Sequence, residues 1–447
     1  MNRSLCLACL ASVFSTLAPA EPRVDSSLPV ESVACYDFAE VTLHITDSAA
    51  ADPGADTIVT GTFGPRGGPV LAVDGFCDAV DGSVFRIRFM PTQPGAHDYA
   101  IVVREGGFTR TLSGSFEATD GRRRGLVRVD PVYPAHLQWT GSKERLFWNG
   151  LACEGLTRLD EAAMRSSLEH LDRHRITGLR ITLTSPTGST ASDLAAWSSL
   201  ERLVTLARAR DMVVALVLPA APDATDAEVD PRWIRQAAAR VAAYSNILWE
   251  PSSPLAASDA TSRPDPIGAA IAACDPYGHI ATGFAELLPL EPDLQTAWQH
   301  ALSGRYSTLR AELDPTGLSD GVVAELLESR GHLFDLFTGI TWWELRTDEG
   351  LVVSHHPQAT AAGTFAARNP EGDLAIIYVR GGGVVSLRDE LLKDQLKPLW
   401  FSPRDGGMRN ARALRGRTYR TPTNDDWVLL FRTPCNCSFR DFDNERE

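Results

Sequence analysis

The feature that most restricts the possible folds is a repeated alternation of short apolar runs with helical patterns between residues 131 and 345. Strands that alternate with helices form parallel sheets, because a parallel pair needs a long crossover connection. Helix signals separate the runs, such as Met164, Leu168 and Leu171 at helical spacing. The predicted strands are 146–152, 178–184, 212–218, 246–250, 279–284, 294–298, 306–312 and 339–345. Eight strand–helix units predict a (β/α)8 TIM barrel over residues 131–345.

Both flanks of this region have the pattern of all-β domains. Residues 30–118 contain short strands at regular spacing, with apolar and polar residues alternating in 41–45 and 84–89. This spacing predicts an N-terminal immunoglobulin-like β-sandwich. Residues 350–433 contain a buried strand at 373–379 and two more near 399–401 and 426–431, which predict a β-sandwich-like domain. The expected fold class is therefore multidomain α/β plus all-β, with a polar tail at 434–447.

The first twenty residues have the pattern of a signal peptide. Arg3 supplies a positive charge, residues 5–17 are mostly apolar, and Ala18-Pro19-Ala20 is a small-residue cleavage site. The apolar run is too short to span a bilayer, and no later run approaches about 18 apolar residues. We therefore expect a secreted or periplasmic protein without a membrane span.

The charge balance excludes one class of partner. The chain has 43 Lys plus Arg against 57 Asp plus Glu, a net charge of −14. Nucleic-acid affinity depends on neutralising phosphates, so a chain this acidic is not expected to bind nucleic acid. The basic run Arg122-Arg123-Arg124 lies between glycines and is interpreted as a linker.

No metal or cofactor is expected from the sequence. His355-His356 lacks a third ligand at useful spacing, and no phosphate-binding glycine loop occurs. Of eight cysteines, six remain after cleavage of the signal peptide. Export permits disulfides, and a pair between Cys35 and Cys77 stays open.

Motifs in all three parts of the chain resemble one family. They are Arg88-Phe-Met-Pro91 in the N-terminal part, Asn246-Ile-Leu-Trp-Glu250 at strand four, and Trp400-Phe-Ser-Pro-Arg404 near the C-terminus. These motifs resemble the apiosidase-like glycoside hydrolases, which join a β-sandwich, a (β/α)8 barrel and a C-terminal β-domain labelled as collagen-binding. The resemblance implies cleavage of glycosidic bonds by two carboxylates. In a retaining site they lie about 5–5.5 Å apart.

The catalytic positions that the resemblance implies are only partly kept. The family reads Asn-Glu after strand four, where this chain has Ser253-Pro254. Proline has no titratable group, so the acid/base is missing at that position. Glu312 matches the nucleophile at strand seven, with an ion pair to Arg310 as the alternative. Glu250 is the first candidate for a relocated acid, with structural support of the barrel as the alternative.

Aromatic and polar residues near strand ends are candidates for sugar contact. We expect Trp249, Tyr277, His279, Trp342 and Trp343 to bind substrate, with Trp342 and Trp343 on opposite sides of one strand. For each of these residues, packing in the core or in a loop is the alternative. Glu154 and Glu344 lie at the ends of the first and last predicted strands and either line the pocket or are solvated.

Three functions follow from these patterns. The first is a secreted carbohydrate-active protein that resembles a glycoside hydrolase but has impaired catalysis, with a polysaccharide or oligosaccharide as partner. The second is an active retaining glycoside hydrolase with a relocated acid/base. The third, and weaker, is an adhesion or matrix-binding module. The sequence does not indicate the sugar, the linkage or the oligomeric state.

Overall fold

The computed structural model describes residues 21–28, 30–183, 191–218, 231–251, 266–281, 290–291, 294–310, 321–356 and 363–433. Within these ranges an all-β region, a parallel α/β region and a second all-β region follow one another along the chain. The predicted signal peptide, 1–20, and the predicted tail, 434–447, lie outside the described residues.

The N-terminal region consists of two β-sheets packed face to face. Its strands are β1 (Arg23–Ser27), β2 (Ser32–Ala34), β3 (Ala39–Thr46), β4 (Thr57–Pro65), β5 (Leu71–Asp74), β6 (Phe76–Cys77), β7 (Val84–Phe89), β8 (Gly95–Glu105) and β9 (Phe108–Thr119), with a short helix α1 (Pro53–Asp56). The sheet orders are β1-β3-β7-β6 and β2-β9-β8-β4-β5. Alternate residues of β3, including Val41 and Leu43, are buried between the sheets, as the alternating sequence predicts.

A small antiparallel sheet leads from the first region into the second. It contains β10 (Val127–Val129), β11 (Leu137–Trp139) and β12 (Arg145–Leu146). Val127, Leu137 and Trp139 are buried in the same apolar cluster as the central sheet. The segment around Arg122, interpreted as a linker, is therefore followed directly by packed structure.

The central region is a parallel sheet with helices. Its strands are β13 (Asn149–Ala152), β14 (Gly178–Thr182), β15 (Val213–Leu218), β16 (Ile247–Pro251), β17 (Leu290–Glu291) and β18 (Ser307–Arg310). Its helices are α2 (Glu161–Arg173), α3 (Ala191–Arg208), α4 (Pro231–Val241), α5 (Pro266–Cys274), α6 (Leu294–Leu302) and α7 (Gly321–Thr338). The 3-10 helices of the described residues are Glu154–Arg158, Trp342–Glu344, Glu349–Leu351 and Asp389–Leu391.

The strand order agrees with part of a barrel. The six strands pair as β16-β15-β14-β13-β18-β17, so β13 lies between β14 and β18. Beyond β16, the amide of Trp249 donates to the carbonyl of Ile280 at 2.9 Å, which places that segment alongside. The described residues show a parallel α/β sheet and no closed barrel. The predicted (β/α)8 closure is therefore not confirmed.

Two of the eight predicted strands are wrong. Residues 294–298 lie in α6, because Leu294, Trp298 and Leu302 repeat every four residues and place one apolar face on the sheet. Residues 339–345 contain the 3-10 helix Trp342–Glu344 in place of a strand. The strand next to β13 is therefore β18, which lies within the seventh predicted strand, 306–312.

The two faces of the central sheet have different contacts. Leu179 and Ile181 of β14 pack in the cluster that contains the helices α2, α3 and α4, and we call this the helix face. Arg180 and Thr182 alternate with them and lie on the opposite, inner face. The indole of Trp148 fills this inner face: a Cβ at Gly178 would lie 2.5 Å from its Cη2 atom.

The C-terminal region again contains two sheets. Its strands are β19 (Arg346–Thr347), β20 (Val352–His356), β21 (Gly363–Arg368), β22 (Leu374–Arg380), β23 (Val384–Leu387), β24 (Lys397–Phe401), β25 (Met408–Asn410), β26 (Ala413–Arg415), β27 (Thr418–Arg420) and β28 (Trp427–Arg432). The orders are β19-β21-β22-β28-β24-β25 and β20-β23-β27-β26. Strand β22 is buried on both faces, because Ile376 and Tyr378 pack on the central region and Ile377 packs between the two sheets.

Buried charges join the N-terminal sheets to the central region. The Arg88 guanidinium donates to Glu40 (2.7 Å), to Glu201 of α3 (2.7 Å) and to the carbonyl of Arg240 of α4 (2.6 Å). Arg240 in turn donates to Glu201 and Asp78, both at 3.1 Å. Burial opposes the charge of Arg88, but the carboxylates of Glu201 and Glu40 raise its pKa above the ordinary arginine value.

No disulfide joins the described cysteines Cys35, Cys77, Cys153 and Cys274. Cys35 and Cys77 are both buried thiols, so the possible pair between them is not formed. Cys435 and Cys437 lie outside the described residues. No helix in the described part of the chain is long and apolar enough to cross a membrane.

Candidate functional site

The carboxyl ends of the central strands bring two charged side chains together on the inner face. Arg180 of β14 and Glu250 of β16 lie on either side of β15. The Arg180 Nε atom donates to both Glu250 carboxylate oxygens (3.0 and 2.8 Å), and its Nη2 atom donates to one of them (2.6 Å). The pair is largely buried, with 18% of the Arg180 side chain and 5% of the Glu250 side chain exposed.

A second carboxylate lies at the same edge of the sheet. Glu154 follows β13 at the start of a 3-10 helix, and its carboxylate accepts from the backbone amide of Thr182 (3.2 Å) and from the Thr182 hydroxyl (2.7 Å). A cleft of about 290 Å³ opens beside it, between this 3-10 helix, the end of β14 and α3. Its lining includes Arg158, Thr182 and Trp197.

Arg310 adds an available positive charge to this edge. Its position on β18 is level with Ala152 of β13, which is also level with Arg180 on the other side. The alternation of β18 therefore places Arg310 and Arg180 on the same inner face, separated by the small Ala152 side chain. Arg310 is exposed and forms no ion pair within the described ranges.

These contacts decide what the described carboxylates can do. A general acid must carry a proton and present it to the leaving oxygen. Arg180 engages both oxygens of Glu250, and Thr182 engages Glu154. Glu250 is therefore the buried ion-pair partner of Arg180. The catalytic candidate Glu312 and the replaced positions Ser253 and Pro254 lie outside the described residues.

Trp249 and His279 do not lie on the inner face at this edge. Trp249 is on the helix face of β16, where its indole Nε1 donates to Asp275 at 3.0 Å. His279 is buried, with Nδ1 2.9 Å from Asp275 and Nε2 3.1 Å from the carbonyl of Tyr244. Burial by itself raises the pKa of Asp275, but the hydrogen bonds from His279 and Tyr277 outweigh it and lower the pKa below its ordinary value. The expectation that Trp249 and His279 contact substrate conflicts with these positions.

Tyr277 lies at the junction with the N-terminal sheets. Its hydroxyl accepts from the Met90 amide at 2.8 Å, and its carbonyl accepts from Arg128 at 2.6 Å. Burial raises the pKa of this hydroxyl. Because Tyr277 precedes the segment that runs beside β16, it lies near the amino ends of the strands, away from the carboxyl edge.

Trp342 and Trp343 also lie at the amino ends of the strands. Trp342 packs in an aromatic cluster, with ring centroids 4.5 Å from His136 and 5.0 Å from Phe147. Trp343 is half-buried, and the Arg145 guanidinium lies 4.4 Å from its ring centroid. Both belong to a 3-10 helix with Glu344, so the predicted strand alternation does not apply. The five predicted substrate-binding residues therefore lie on the helix face or towards the amino ends of the strands, away from the Arg180–Glu250 pair on the inner face.

The His136 side chain in this cluster makes stability depend on pH. Burial lowers its pKa to about 4, against about 6.5 in an unfolded chain. Between these values the unfolded state binds the proton more tightly, so stability falls as the pH falls below about 6.5. We expect His136 alone to remove about 2 kcal/mol between pH 7 and pH 5.

Urea unfolding at the two pH values measures this loss. His136→Gln removes the titrating group, so the stability of the variant should fall about 2 kcal/mol less over that interval than that of the native chain. Equal pH dependence in the two proteins would show that the ring is not held neutral in the folded state.

The two arginines of the inner face were not predicted as site residues. Arg180 lies in the middle of the predicted strand 178–184, and Arg310 was considered only as an ion-pair partner of Glu312. The available signal was a charged residue inside a strand that is otherwise apolar. Such a residue must find a partner or water when both faces of the sheet are covered.

Two family models match parts of the chain. One is described as "Domain of unknown function (DUF5060)" and matches residues 32–104, within the N-terminal sheets. The other is described as "Putative collagen-binding domain of a collagenase" and matches residues 347–432, which is nearly all of the C-terminal region. No curated protein matches the chain.

Solved structures share the fold of most of the chain. A putative glycoside hydrolase from Bacteroides vulgatus ATCC 8482 is similar over 90% of this chain and 100% of its own, with a TM-score of 0.64 and 14% identity. A glycoside hydrolase family 5 structure from the same organism covers 70% of this chain and 93% of its own, with a TM-score of 0.54 and 11% identity. The likeness establishes the arrangement of the fold. Neither comparison confirms the apiosidase-like family, which stays a prediction.

Proposed function

We propose that the chain is a carbohydrate-active protein of glycoside-hydrolase type, which binds a glycan at the carboxyl edge of its central sheet and has impaired catalysis. The observation that carries the proposal is the inner face of that edge, where Arg310 is exposed beside the Arg180–Glu250 pair. Parallel α/β enzymes bind ligands at the carboxyl ends of their strands. The glycoside-hydrolase relatives in fold support a sugar as the ligand.

The carboxylates at the carboxyl edge of the central sheet are the basis for proposing impaired catalysis. Hydrolysis by two carboxylates needs one of them as a proton donor. Glu250 is held by Arg180 and Glu154 by Thr182. The sequence replaces the Asn-Glu of strand four by Ser253-Pro254, and Glu312 is then the remaining candidate nucleophile. Export by the signal peptide at 1–20 is part of the same proposal, because a protein encounters polymeric glycans outside the cell.

The test combines turnover with binding in the full chain. We expect slow cleavage of activated aryl glycosides and weak or absent cleavage of natural oligosaccharides, since general acid catalysis contributes about 10²–10⁴-fold and matters most for poor leaving groups. Glu312→Gln should abolish the slow cleavage. In calorimetry with an oligosaccharide panel, Arg310→Gln should weaken binding of any ligand found by about tenfold. Trp343→Ala, at the opposite end of the strands, should leave it unchanged and serves as the control.

Two outcomes would contradict the proposal in different ways. Rapid turnover of a natural glycan that is lost in Glu312→Gln would show that catalysis is intact and that another carboxylate supplies the proton. Binding that responds to Trp343→Ala but not to Arg310→Gln would place the glycan at the amino ends of the strands.

Attachment to an extracellular matrix is a second candidate function. The match of residues 347–432 to a family described as collagen-binding favours it. Binding of the full chain to immobilised fibrillar collagen is its direct test, and it concerns the C-terminal region independently of the central sheet.

A further inference from the structure

The C-terminal region contains an arginine-rich segment inside an acidic chain. Between residues 404 and 420 there are six arginines, no lysine and only one acidic residue, Asp405, whereas the whole chain has a net charge of −14. The segment forms β25, β26 and β27, and β25 and β26 are the edge strands of their sheets. Neither proposed function above uses this charge.

Three of the six arginines are engaged within the region. Arg417 forms an ion pair with Asp389. Arg404 pairs with Asp425 at 3.3 Å and lies 5.6 Å from the ring centroid of Trp427. Arg409 lies on the same ring at 5.3 Å. Contacts within the C-terminal region are therefore sufficient to explain the positions of these three arginines.

The other three arginines are exposed and available. Arg412, Arg415 and Arg420 form no ion pair or hydrogen bond with the described part of the chain, and all three are exposed. Clustered cations without anionic partners repel one another, so the folded chain alone offers no reason for the cluster. Guanidinium groups bind carboxylate and sulfate groups through paired, charge-assisted hydrogen bonds.

The outer face of the second sheet extends this cluster with hydroxyl groups. Strand pairing places Ser354, Ser386, Thr418 and Arg415 in one row across the four strands. The Ser386 and Thr418 hydroxyls are 3.0 Å apart. The next row contains His356, Val384 and Arg420. At about 4.8 Å between strands, the first row is roughly 14 Å long and the second roughly 10 Å, so an extended chain can lie along them.

We propose that this face, with Arg415, Arg420 and the hydroxyls of Ser386 and Thr418, and with Arg412 immediately before β26, binds an anionic polysaccharide through its carboxylate or sulfate groups. Sugar hydroxyls match the serine and threonine row, and the anionic groups match the arginines. The two rows contain no Phe, Tyr or Trp. Single-stranded nucleic acid needs aromatic platforms for its bases, and extended proline-rich protein chains need aromatic-lined grooves.

Affinity measurements on the full chain test the proposal with heparin and polygalacturonate as anionic probes and dextran as the neutral one. We expect both anionic probes to bind and dextran not to bind, with affinity falling steeply as salt rises. Replacing Arg412, Arg415 and Arg420 together by Gln should lower the affinity for both anionic probes by about tenfold or more. The same three positions changed to Lys should retain part of the binding, because the charge remains.

The matched control replaces three exposed arginines of the N-terminal region, Arg104, Arg110 and Arg122, by Gln, which changes the net charge equally. It should leave the affinity for heparin unchanged, and a thermal melt confirms that both triple variants fold. Equal weakening in both variants, or none in either, would overturn the proposal. Single-stranded DNA or collagen bound with the same arginine dependence as heparin would also overturn it. None of these outcomes depends on the central sheet, so failure here leaves the first proposed function standing.

Discussion

We expect Glu201→Gln to lower the free energy of unfolding by about 3–5 kcal/mol. The Glu201 carboxylate accepts from Arg88 at 2.7 Å and from Arg240 at 3.1 Å, and the exposed fractions of these two arginine side chains are 5% and 1%. The amide of glutamine keeps the shape but removes the charge. Two guanidinium groups then stay buried with fewer counter-charges, which is the costly way to break a buried ion pair.

The matched control is an exposed pair in the same N-terminal sheets. Arg66 and Asp98 are 3.0 Å apart, with side chains 62% and 51% exposed. Asp98→Asn should therefore change stability by less than about 1 kcal/mol. Urea unfolding of both variants gives the comparison. If the Glu201 variant loses no more unfolding free energy than the control variant, water reaches the Arg88–Glu201–Arg240 network. The N-terminal sheets and the central region are then joined mainly by apolar contacts, such as that of the Met90 side chain with Tyr277.

The sequence predicted the elements whose pattern depends on local residues alone. The predicted strands 178–184 and 212–218 contain β14 and β15, and 246–250 overlaps β16 (Ile247–Pro251), because mostly apolar runs suit a sheet covered on both faces. Residues 294–298 were misread, since a five-residue window does not reach Leu302, which shows the helical spacing. Residues 339–345 are rich in strand-forming types, but Trp342 packs against Phe147 and His136, which are far away in the sequence.

The candidate site was predicted less well than the fold. Neighbouring residues of a strand face opposite sides, so Trp249 and Glu250 cannot both line one pocket. Both faces of a parallel sheet are buried, and apolar patterning therefore does not reveal which face is the inner one. Arg180 was overlooked because its partner Glu250 is 70 residues away. Trp342 and Trp343, expected on opposite sides of a strand over 339–345, lie in a 3-10 helix at the amino ends of the strands.

The role of Glu250 is decided by removing its partner. Arg180→Met leaves the Glu250 carboxylate, 5% exposed, without the cation that engages both its oxygens. We expect a loss of about 3–5 kcal/mol in the free energy of unfolding at neutral pH. Arg175→Met is the control in the same region, because its ion pair with Asp335 is 55% and 51% exposed and is worth less than about 1 kcal/mol.

The double variant Arg180→Met/Glu250→Leu separates a structural pair from a catalytic acid. Apolar side chains of similar volume often replace a buried ion pair without loss, so the double variant should recover most of the stability that Arg180→Met loses. Turnover of an aryl glycoside should then match that of the native chain, since neither residue supplies the proton. A double variant that is stable but loses the turnover would instead identify Glu250 as the relocated acid, with Arg180 as the residue that positions its carboxylate.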